Sequence, residues 1–298
     1  MTLSLSHEKL ADGPVHVWSL HETFEQLGRK SKELAEVYQK AMPFPFIVLD
    51  DFLPSAVAEQ IEHCFPPPTA DVWHRFPTRD QHNKLELSHE CLLPHSIRQL
   101  IHELNSGWFL DILEQITGIA NLVADTKLVG GGLHQILPGG RLDLHVDYSH
   151  HPGNRLNRRL NLILYLNKHW KEEYGGHFQL WDRAMTHCEH RILPIFNRCV
   201  IFSTTPYSYH GHPDLLTCPP GNSRKSIALY YYSNGRPEEA GEIIEHNTLF
   251  RRRPGDPFSP SNALMRLASG NLVRDLMPPL FYRWLRNAWH HHLRRKPS

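Results

Sequence analysis

The spacing of apolar residues along the chain changes near residue 130. Before that point the apolar positions recur mostly at helical spacing, and the pattern predicts a helical segment up to about Ala41. Pro54 opens a further predicted helix, and two more are predicted over 96–104 and 108–116. A short apolar strand over 44–50 interrupts this pattern. The first part of the chain is therefore predicted to supply helices that pack on the remainder of the chain.

After Gly130-Gly131-Gly132 the apolar residues fall into short runs separated by Gly, Pro and Asn. The pattern predicts strands over 133–137, 141–147, 160–166, 177–180, 191–195, 199–202 and 226–232. Pro138-Gly139-Gly140 is predicted to form a turn between the first two. Seven short strands without intervening helices favour an antiparallel sandwich or barrel over repeated βαβ units.

Pro and Gly residues that interrupt the helix and strand patterns divide the chain into three predicted stretches. Residues 1–41 form an N-terminal helical segment, residues 42–241 form the main domain with its β core at about 130–235, and residues 242–298 form a basic linker and a C-terminal helical tail. The last predicted helix, 279–293, has an apolar side and a basic polar side. Two interpretations stay open: the helix docks on the β core, or it makes a peripheral contact with a membrane or an acidic partner.

Composition and charge narrow the classes of function. The chain has 298 residues, of which 40% are hydrophobic, and this excludes wholesale disorder. No apolar run is long enough for a transmembrane segment, and no signal peptide is predicted, so the expected location is cytoplasmic. The formal net charge is +1, and residues 251–298 hold ten basic and two acidic residues. A mildly acidic body argues against nucleic-acid binding. Five scattered cysteines predict reduced thiols.

The strongest chemical signal is the segment Leu142-Asp143-Leu144-His145-Val146-Asp147. Alternation along a strand places the side chains of His145 and Asp147 on the same face, where both can bind one divalent metal. Downstream, Ser208-Tyr209-His210-Gly211-His212 offers a second histidine, and both His210 and His212 are candidates. Two histidines and one carboxylate on one face of an octahedron form the ligand set of non-haem Fe(II) oxygenases.

A basic residue follows this histidine pair at the start of the next predicted strand. Arg224 can bind a carboxylate bidentately at a fixed distance from the metal, and Ser226 shares its strand face. The order and spacing of these residues make the combined signal specific.

The segment from about Gly132 to Tyr232 resembles the catalytic domain of the prolyl 4-hydroxylase-type 2-oxoglutarate/Fe(II)-dependent dioxygenases. The likeness covers about a third of the chain, and Phe46–Leu53 is similar to the strand and helix that precede this domain in many relatives. The fold implied by this resemblance is mainly β with supporting helices: a double-stranded β-helix, which is a jelly-roll or cupin-like barrel. By the same likeness, His145, Asp147 and His210 match the iron ligands, with His210 preferred to His212.

The resemblance also assigns the co-substrate site. Arg224 matches the basic residue that pairs with the distal carboxylate of 2-oxoglutarate, Tyr165 stands where a relative's tyrosine often donates to it, and Ser226 is a second candidate donor. Gly175-Gly176, before the 177–180 strand, also fits the family pattern. The expected cofactors are Fe(II), with 2-oxoglutarate and O2 as co-substrates and ascorbate as a further candidate.

The resemblance implies an oxidoreductase that hydroxylates its substrate and releases succinate and CO2. The expected substrates are a prolyl residue in a peptide, another amino-acid residue or a small metabolite. Two alternatives stay open: a non-catalytic jelly-roll module that binds a metal or ligand, and a cupin-like metal enzyme that does not use 2-oxoglutarate. The carboxylate clamp predicted at Arg224 and Tyr165 discriminates, because neither alternative requires it.

Overall fold

The fold is known from a computed structural model that describes residues 18–76, 80–236, 245–254 and 256. The chain divides into one compact unit that ends at Pro254 and a second unit from Gly255 onward. The two predicted tail helices, and with them the predicted peripheral contact, lie outside the described residues. No helix in the described part of the chain is long and apolar enough to cross a membrane.

The helices form in the part of the chain where helical spacing predicted them. They are α1 (His21–Arg29), α2 (Ser31–Lys40), α3 (Ser55–His63), α4 (His95–Leu104) and α5 (Gly107–Thr117), with two short 3-10 turns at Glu90–Leu92 and Glu172–Tyr174. In helix α5, capping interactions at each end determine where the helix begins and where it ends. The Ser106 hydroxyl accepts a hydrogen bond from the Phe109 amide at its start, and Gly118 ends it in the left-handed conformation.

The strands of the described residues join in one antiparallel sheet that curls on itself. Along the sheet the order is β1-β9-β6-β11-β5-β10-β7-β8, while β3 and β12 pair with β5, β2 pairs with β3, and β4 pairs with β11. The strands are β1 (Phe46–Leu49), β2 (His74–Phe76), β3 (Gln81–Leu87), β4 (Val123–Ala124), β5 (Gly132–Val146), β6 (Asn157–Tyr165), β7 (Phe178–Trp181), β8 (Cys188–Ile192), β9 (Arg198–Ser203), β10 (His210–His212), β11 (Arg224–Ser233) and β12 (Leu249–Phe250).

Strand β5 links the two halves of this curled sheet. Its first half pairs with β11, where Ile136 lies opposite Arg224, and its second half pairs with β10, where His145 lies opposite His210. The prediction of a turn at 138–140 is wrong, because β3 pairs with β5 on both sides of these residues. Residues 137–140 form an irregularity in the pairing instead, between Ile136 opposite Lys84 and Arg141 opposite His82. A side chain at Gly140 would meet the Leu137 carbonyl oxygen at 2.7 Å and the His82 carbonyl oxygen at 2.8 Å.

The two faces of the central strands have different surroundings. Every second residue of β6, β9 and β11 packs with the helices in one large apolar core, to which β6 contributes Leu160, Leu162 and Leu164. The intervening residues face the inside of the curl, where a smaller apolar cluster contains Tyr165, Phe178 and Phe202. A curled antiparallel sheet with helices on one face is the architecture of a double-stranded β-helix, so the predicted fold class is confirmed.

The short strand β12 lies within residues 242–298, the stretch that sequence patterning assigned to the linker and tail. Leu249 lies opposite Val146 and Phe250 opposite His145, so this segment adds to the edge of β5. The Arg251 amide donates to the Leu144 carbonyl oxygen at 2.7 Å and continues the contact. The division of the chain into three stretches otherwise stays a prediction.

Candidate active site

Three side chains meet at the end of β5 and the start of β10. The Nε2 atom of His145 lies 3.7 Å from Oδ1 of Asp147, and the Nε2 atom of His210 lies 3.5 Å from Oδ2 of the same carboxylate. One ligand atom from each residue can be chosen so that all lie within 4.8 Å of one another. Antiparallel pairing accounts for this meeting, because it places His210 directly opposite His145. His212 is not part of this group.

Each histidine ring is held by its other nitrogen. Nδ1 of His145 lies 2.8 Å from the Asp143 carbonyl oxygen, and Nδ1 of His210 lies 2.8 Å from the Ser208 carbonyl oxygen. A carbonyl only accepts, so each Nδ1 carries the proton and each Nε2 keeps a free lone pair. This is the orientation that metal-binding histidines require. Two imidazole nitrogens and one carboxylate therefore fit a divalent metal such as Fe(II).

The carboxylate of Asp147 is supported by two buried polar side chains. Asn161 donates from Nδ2 to Oδ2 of Asp147 at 2.7 Å, and Nη2 of Arg158 lies 3.2 Å from the same oxygen. Arg158 also donates from Nε to Oδ1 of Asn161 at 3.0 Å. The guanidinium lies between two aromatic rings, 4.5 Å from the centre of Tyr148 and 3.5 Å from that of Tyr230. Arg158 and Asn161 thus fix the direction in which Asp147 points.

Burial and charge set the protonation of the triad. Burial lowers the pKa of His210 to about 4, so its ring is neutral and able to bind a metal at neutral pH. Burial alone would raise the pKa of Asp147, but the charge of Arg158 and the adjacent His210 and His145 side chains hold that pKa well below its ordinary value. The carboxylate is therefore ionised at neutral pH, as metal binding needs.

Arg224 lies in the same pocket as the triad, at the first residue of β11. Its Nε donates to the Gly176 carbonyl oxygen at 2.8 Å, and its Nη2 donates to the Tyr165 hydroxyl at 3.2 Å. Arg224 is 5% exposed, and no other described residue hydrogen-bonds its side chain, so Nη1 remains for a ligand. Tyr165 is fully buried, and its hydroxyl keeps a proton to donate because it accepts from Arg224.

Gly176 allows Arg224 to take this position. Its φ of +71° lies in the left-handed region, and a Cβ atom there would meet Cδ2 of Leu216 at 2.6 Å and Cδ of Arg224 at 3.0 Å. Any side chain would therefore displace the guanidinium. The Gly175-Gly176 pair singled out in the sequence thus serves the shape of the Arg224 site.

The remaining predicted residues lie in the same pocket. It is open to solvent, has a volume of about 220 Å³, and is lined by the triad, Arg224, Ser226 and His212 among others. Ser226 lies opposite Tyr165 in the β11–β6 register. His212 is buried, and its Nδ1 has no hydrogen-bond partner among the described residues. The sequence reasoning brought these residues together correctly in space, although their roles stay predictions.

Several pocket residues were missed by the sequence analysis. Arg158 lies in an Arg- and Asn-rich stretch whose composition is typical of a loop. An irregularity in the β6–β11 register directs its side chain into the pocket. The strands that supply Lys84, Glu86 and Phe250 are short or polar and were not predicted. The one available signal was alternation in Lys84-Leu85-Glu86-Leu87, which is typical of a strand with a polar face.

The segment that carries this site matches a known protein family. Residues 131–232 match the family model of the 2OG-Fe(II) oxygenase superfamily. This stretch runs from the start of β5 to near the end of β11 and contains all three triad residues and Arg224. The resemblance inferred from the sequence is thus confirmed by a family match over about a third of the chain. No curated protein matches the chain significantly.

Solved structures are similar to this chain at low sequence identity, and the first of them supports the same fold. A prolyl hydroxylase from Trichoplax adhaerens, solved with a peptide fragment of the hypoxia inducible factor oxygen degradation domain, has a TM-score of 0.52 and 18% identity over 70% of this chain and 93% of its own. A prolyl-4-hydroxylase from Pseudomonas putida has a TM-score of 0.49 and 15% identity, and the match covers 67% of this chain and 99% of its own. HygX from Streptomyces hygroscopicus, solved with nickel and 2-oxoglutarate, has a TM-score of 0.48 and 11% identity, and the match covers 74% of this chain and 97% of its own.

The match to the 2OG-Fe(II) oxygenase family model indicates the class of reaction. Its members are oxygenases that use Fe(II) and 2-oxoglutarate, and the present site supplies a matching His-Asp-His triad. The predicted cofactor pair is thereby confirmed at the level of the family. The chain carries an oxidoreductase domain of the dioxygenase type.

Proposed function

We propose that this protein is an Fe(II)- and 2-oxoglutarate-dependent hydroxylase in which His145, Asp147 and His210 bind the metal and Arg224 binds the distal carboxylate of 2-oxoglutarate. The observation that carries the proposal is that the triad and the unfilled Nη1 of Arg224 line one pocket. Tyr165 and Ser226 are the proposed additional donors to that carboxylate. The triad leaves adjacent coordination positions open on one side of the metal.

The proposed reaction inserts one oxygen atom into a C–H bond of the substrate. The second atom of O2 enters succinate as 2-oxoglutarate loses CO2, so O2 accepts four electrons, two from each organic molecule. The bound metal supplies the activation of O2. The protein holds the co-substrate through Arg224 and fixes the Asp147 carboxylate through Arg158 and Asn161.

A prolyl residue of a peptide is one candidate substrate. The Trichoplax adhaerens prolyl hydroxylase was solved with a peptide fragment, and this supports a peptidyl substrate by analogy of fold alone. Another amino-acid residue or a small metabolite is the other candidate. Ascorbate is proposed only as an auxiliary reductant.

The test is an anaerobic titration of the Fe(II)-loaded protein with 2-oxoglutarate, followed by the visible charge-transfer band of the chelated metal. We expect the band in the wild type, none in His145→Ala, and a band that needs about 10- to 100-fold more 2-oxoglutarate in Arg224→Ala, since hydrogen bonds to charged groups contribute about 1.5–3 kcal/mol. Arg198→Ala is the matched control, because this arginine pairs with Asp50 and does not line the pocket.

Two outcomes would contradict the proposal. Bound metal without any band would favour a cupin-like metal enzyme that does not use 2-oxoglutarate. A band without succinate formation, when O2 and candidate substrates are supplied, would favour a non-catalytic binding module.

A further inference from the structure

A second charged group faces the active-site pocket from strands β3 and β5. Nζ of Lys84 lies 3.1 Å from Oε2 of Glu86, and Nε2 of His134 lies 3.5 Å from the same oxygen. Lys84 also donates to Oε1 of Gln81 at 3.1 Å. We call Lys84, Glu86 and His134 the β3 cluster. All three line the same pocket as the triad and Arg224.

The β3 cluster is costly for the fold to bury. Lys84 is 7% exposed and Glu86 is 9% exposed, so both charges have lost most of their water. Such a pair seldom contributes net stability, because apolar residues of similar volume would serve the core as well or better. The Lys84, Gln81 and Glu86 side chains also stand where a ligand could reach them. Recognition of a charged ligand therefore accounts for the pair better than stability does.

Hydrogen-bonding capacity remains on both members of the pair. The Lys84 ammonium has three N–H donors, and two of them are used by Gln81 and Glu86. Oε1 of Glu86 accepts no hydrogen bond from the described residues, since both of its contacts are to Oε2. The cluster thus keeps one cationic donor and one anionic acceptor side by side, and the low pKa of Glu86, about 2, keeps the acceptor charged.

The β3 cluster and the proposed metal site share one pocket. Ile136 of β5 lies opposite Lys84 on β3 and opposite Arg224 on β11, so the two cationic residues stand on strands that flank the same residue. Tyr230 and His212 line this pocket together with the β3 cluster and the triad. A ligand held at the cluster therefore occupies the same space as the proposed centre of reaction.

The charges that line the pocket select among ligands. Lys84, Arg158 and Arg224 are positive, while Glu86 and Asp147 are negative, so the described lining has an excess of one positive charge. The charges of Fe(II) and of 2-oxoglutarate cancel each other. A cationic amine would be repelled by this excess positive charge, and the backbone of a peptide would offer only uncharged amides to the β3 cluster. A zwitterion offers a carboxylate to Lys84 and an ammonium to Glu86.

We infer that the substrate is a free α-amino acid whose carboxylate binds Lys84 and whose ammonium binds Glu86. This inference rests on the proposed function and narrows its substrate class. With both α-groups held at the β3 cluster, the side chain extends toward the triad. The C–H bond to be hydroxylated therefore belongs to the side chain of the amino acid.

The first experiment uses the wild-type protein loaded with Zn(II) and 2-oxoglutarate, so that binding is measured without turnover. Proteinogenic L-amino acids are titrated by calorimetry, and each that binds is compared with its N-acetyl and carboxamide derivatives. We expect each blocked derivative to bind about 10- to 100-fold more weakly, because it loses one charge-assisted hydrogen bond. This comparison requires no variant and does not depend on folding.

The second experiment uses variants of the pair. Glu86→Gln is expected to weaken binding of the free amino acid by about 10-fold or more and to leave binding of its N-acetyl derivative nearly unchanged, since that derivative has no ammonium. Glu62→Gln is the matched control. Glu62 pairs with Lys225 at 2.7 Å in another partly buried ion pair, which does not line the pocket, so binding should not change.

The outcomes separate this inference from the proposed function. Absence of the Fe(II)-2-oxoglutarate charge-transfer band overturns the proposed function itself. If the band forms but no free amino acid binds, or if the doubly blocked derivative binds as tightly as the free acid, only the amino-acid inference is overturned. Equal losses for both ligands in Glu86→Gln would also overturn it, because the effect would then be structural.

Discussion

The two faces of strand β6 show how differently the same strand can be used. On the helix side, Leu160, Leu162 and Leu164 are completely buried in the large apolar core. Toward the inside of the curl, Asn161 and Tyr165 are just as inaccessible but are polar and hydrogen-bonded. Burial is thus equal on the two faces, and only the partners differ.

This difference separates two sources of stability. The leucines stabilise the fold through buried area, so each acts almost independently of the others. The polar residues offset the cost of burial only through one another, so the loss of one leaves its partner without compensation. The apolar face therefore supports the fold, while the polar face places groups that can act on ligands.

The largest effect is expected from Arg158→Met, which leaves the buried Asp147 carboxylate without its cation. We expect a loss of about 3–5 kcal/mol in the free energy of unfolding, together with about 10- to 100-fold weaker metal binding. Urea unfolding and Fe(II) titration would measure the two. Arg159→Met is the control, because the neighbouring Arg159 donates to the Ser233 hydroxyl and makes no contact with Asp147. Equal losses in both variants would show that Arg158 acts only by packing.

Leu162→Ala tests the other face of β6. We expect a loss of about 2–5 kcal/mol, because a cavity forms in the apolar core. Metal affinity measured well below the unfolding midpoint should change by less than about 2-fold, since the Leu162 side chain packs in the large apolar core, does not line the pocket, and shares no partner with the triad. Urea unfolding and Fe(II) titration again give both values. A strongly weakened metal site would show that the two faces are coupled.

The pH dependence of unfolding tests the ionised state of Glu86. Its pKa is lowered from 4.5 to about 2, because Lys84 and His134 together outweigh the effect of burial. A lowered pKa means that, above about pH 4.5, the fold is more stable with Glu86 ionised than with Glu86 protonated by about 3 kcal/mol, and that this difference is lost as the pH falls toward 2. Urea unfolding from pH 6 to 2 should show a shallower decline for Glu86→Gln. An identical decline would contradict the assignment.

The smallest effect is expected on the outer surface. Lys40 and Glu36 form an exposed pair in α2, with 3.4 Å between Nζ and Oε2. Lys40→Ala should change the free energy of unfolding by less than about 0.5 kcal/mol, because water and salt screen exposed pairs. Urea unfolding at low and high salt measures the change. A larger value would mean that α2 depends on surface charge more than its buried face suggests.

The sequence predicted the helices, most of the strands and the clustering of the triad with Arg224. These features depend on local spacing or on alternation, which the residues themselves carry. The irregular segment 137–140 was predicted to be a turn because Pro-Gly-Gly is typical of turns, and only pairing with β3 on both sides distinguishes a continuing strand from a reversal. Strand β10 holds only His-Gly-His between loops, so no apolar pattern marks it.

The support of Asp147 and the β3 cluster could not be predicted for a different reason. Arg158 is separated from Asp147 by a polar stretch of chain, and Glu86 is far from His134 in sequence. Their partnership exists only after β6 and β3 have paired in register. A basic or acidic residue in a polar stretch normally indicates a solvated surface, so sequence alone gives no reason to place it in a pocket.

Strand β12 has a practical consequence for dissecting this protein. The family match ends at residue 232, yet Phe250 lies on the edge of β5 with its ring centre 5.3 Å from that of His145. A fragment trimmed at the end of the family match would therefore lose a wall of the pocket and expose an unpaired strand edge beside a proposed iron ligand. Fragments for crystallisation or for activity assays should extend through residue 254.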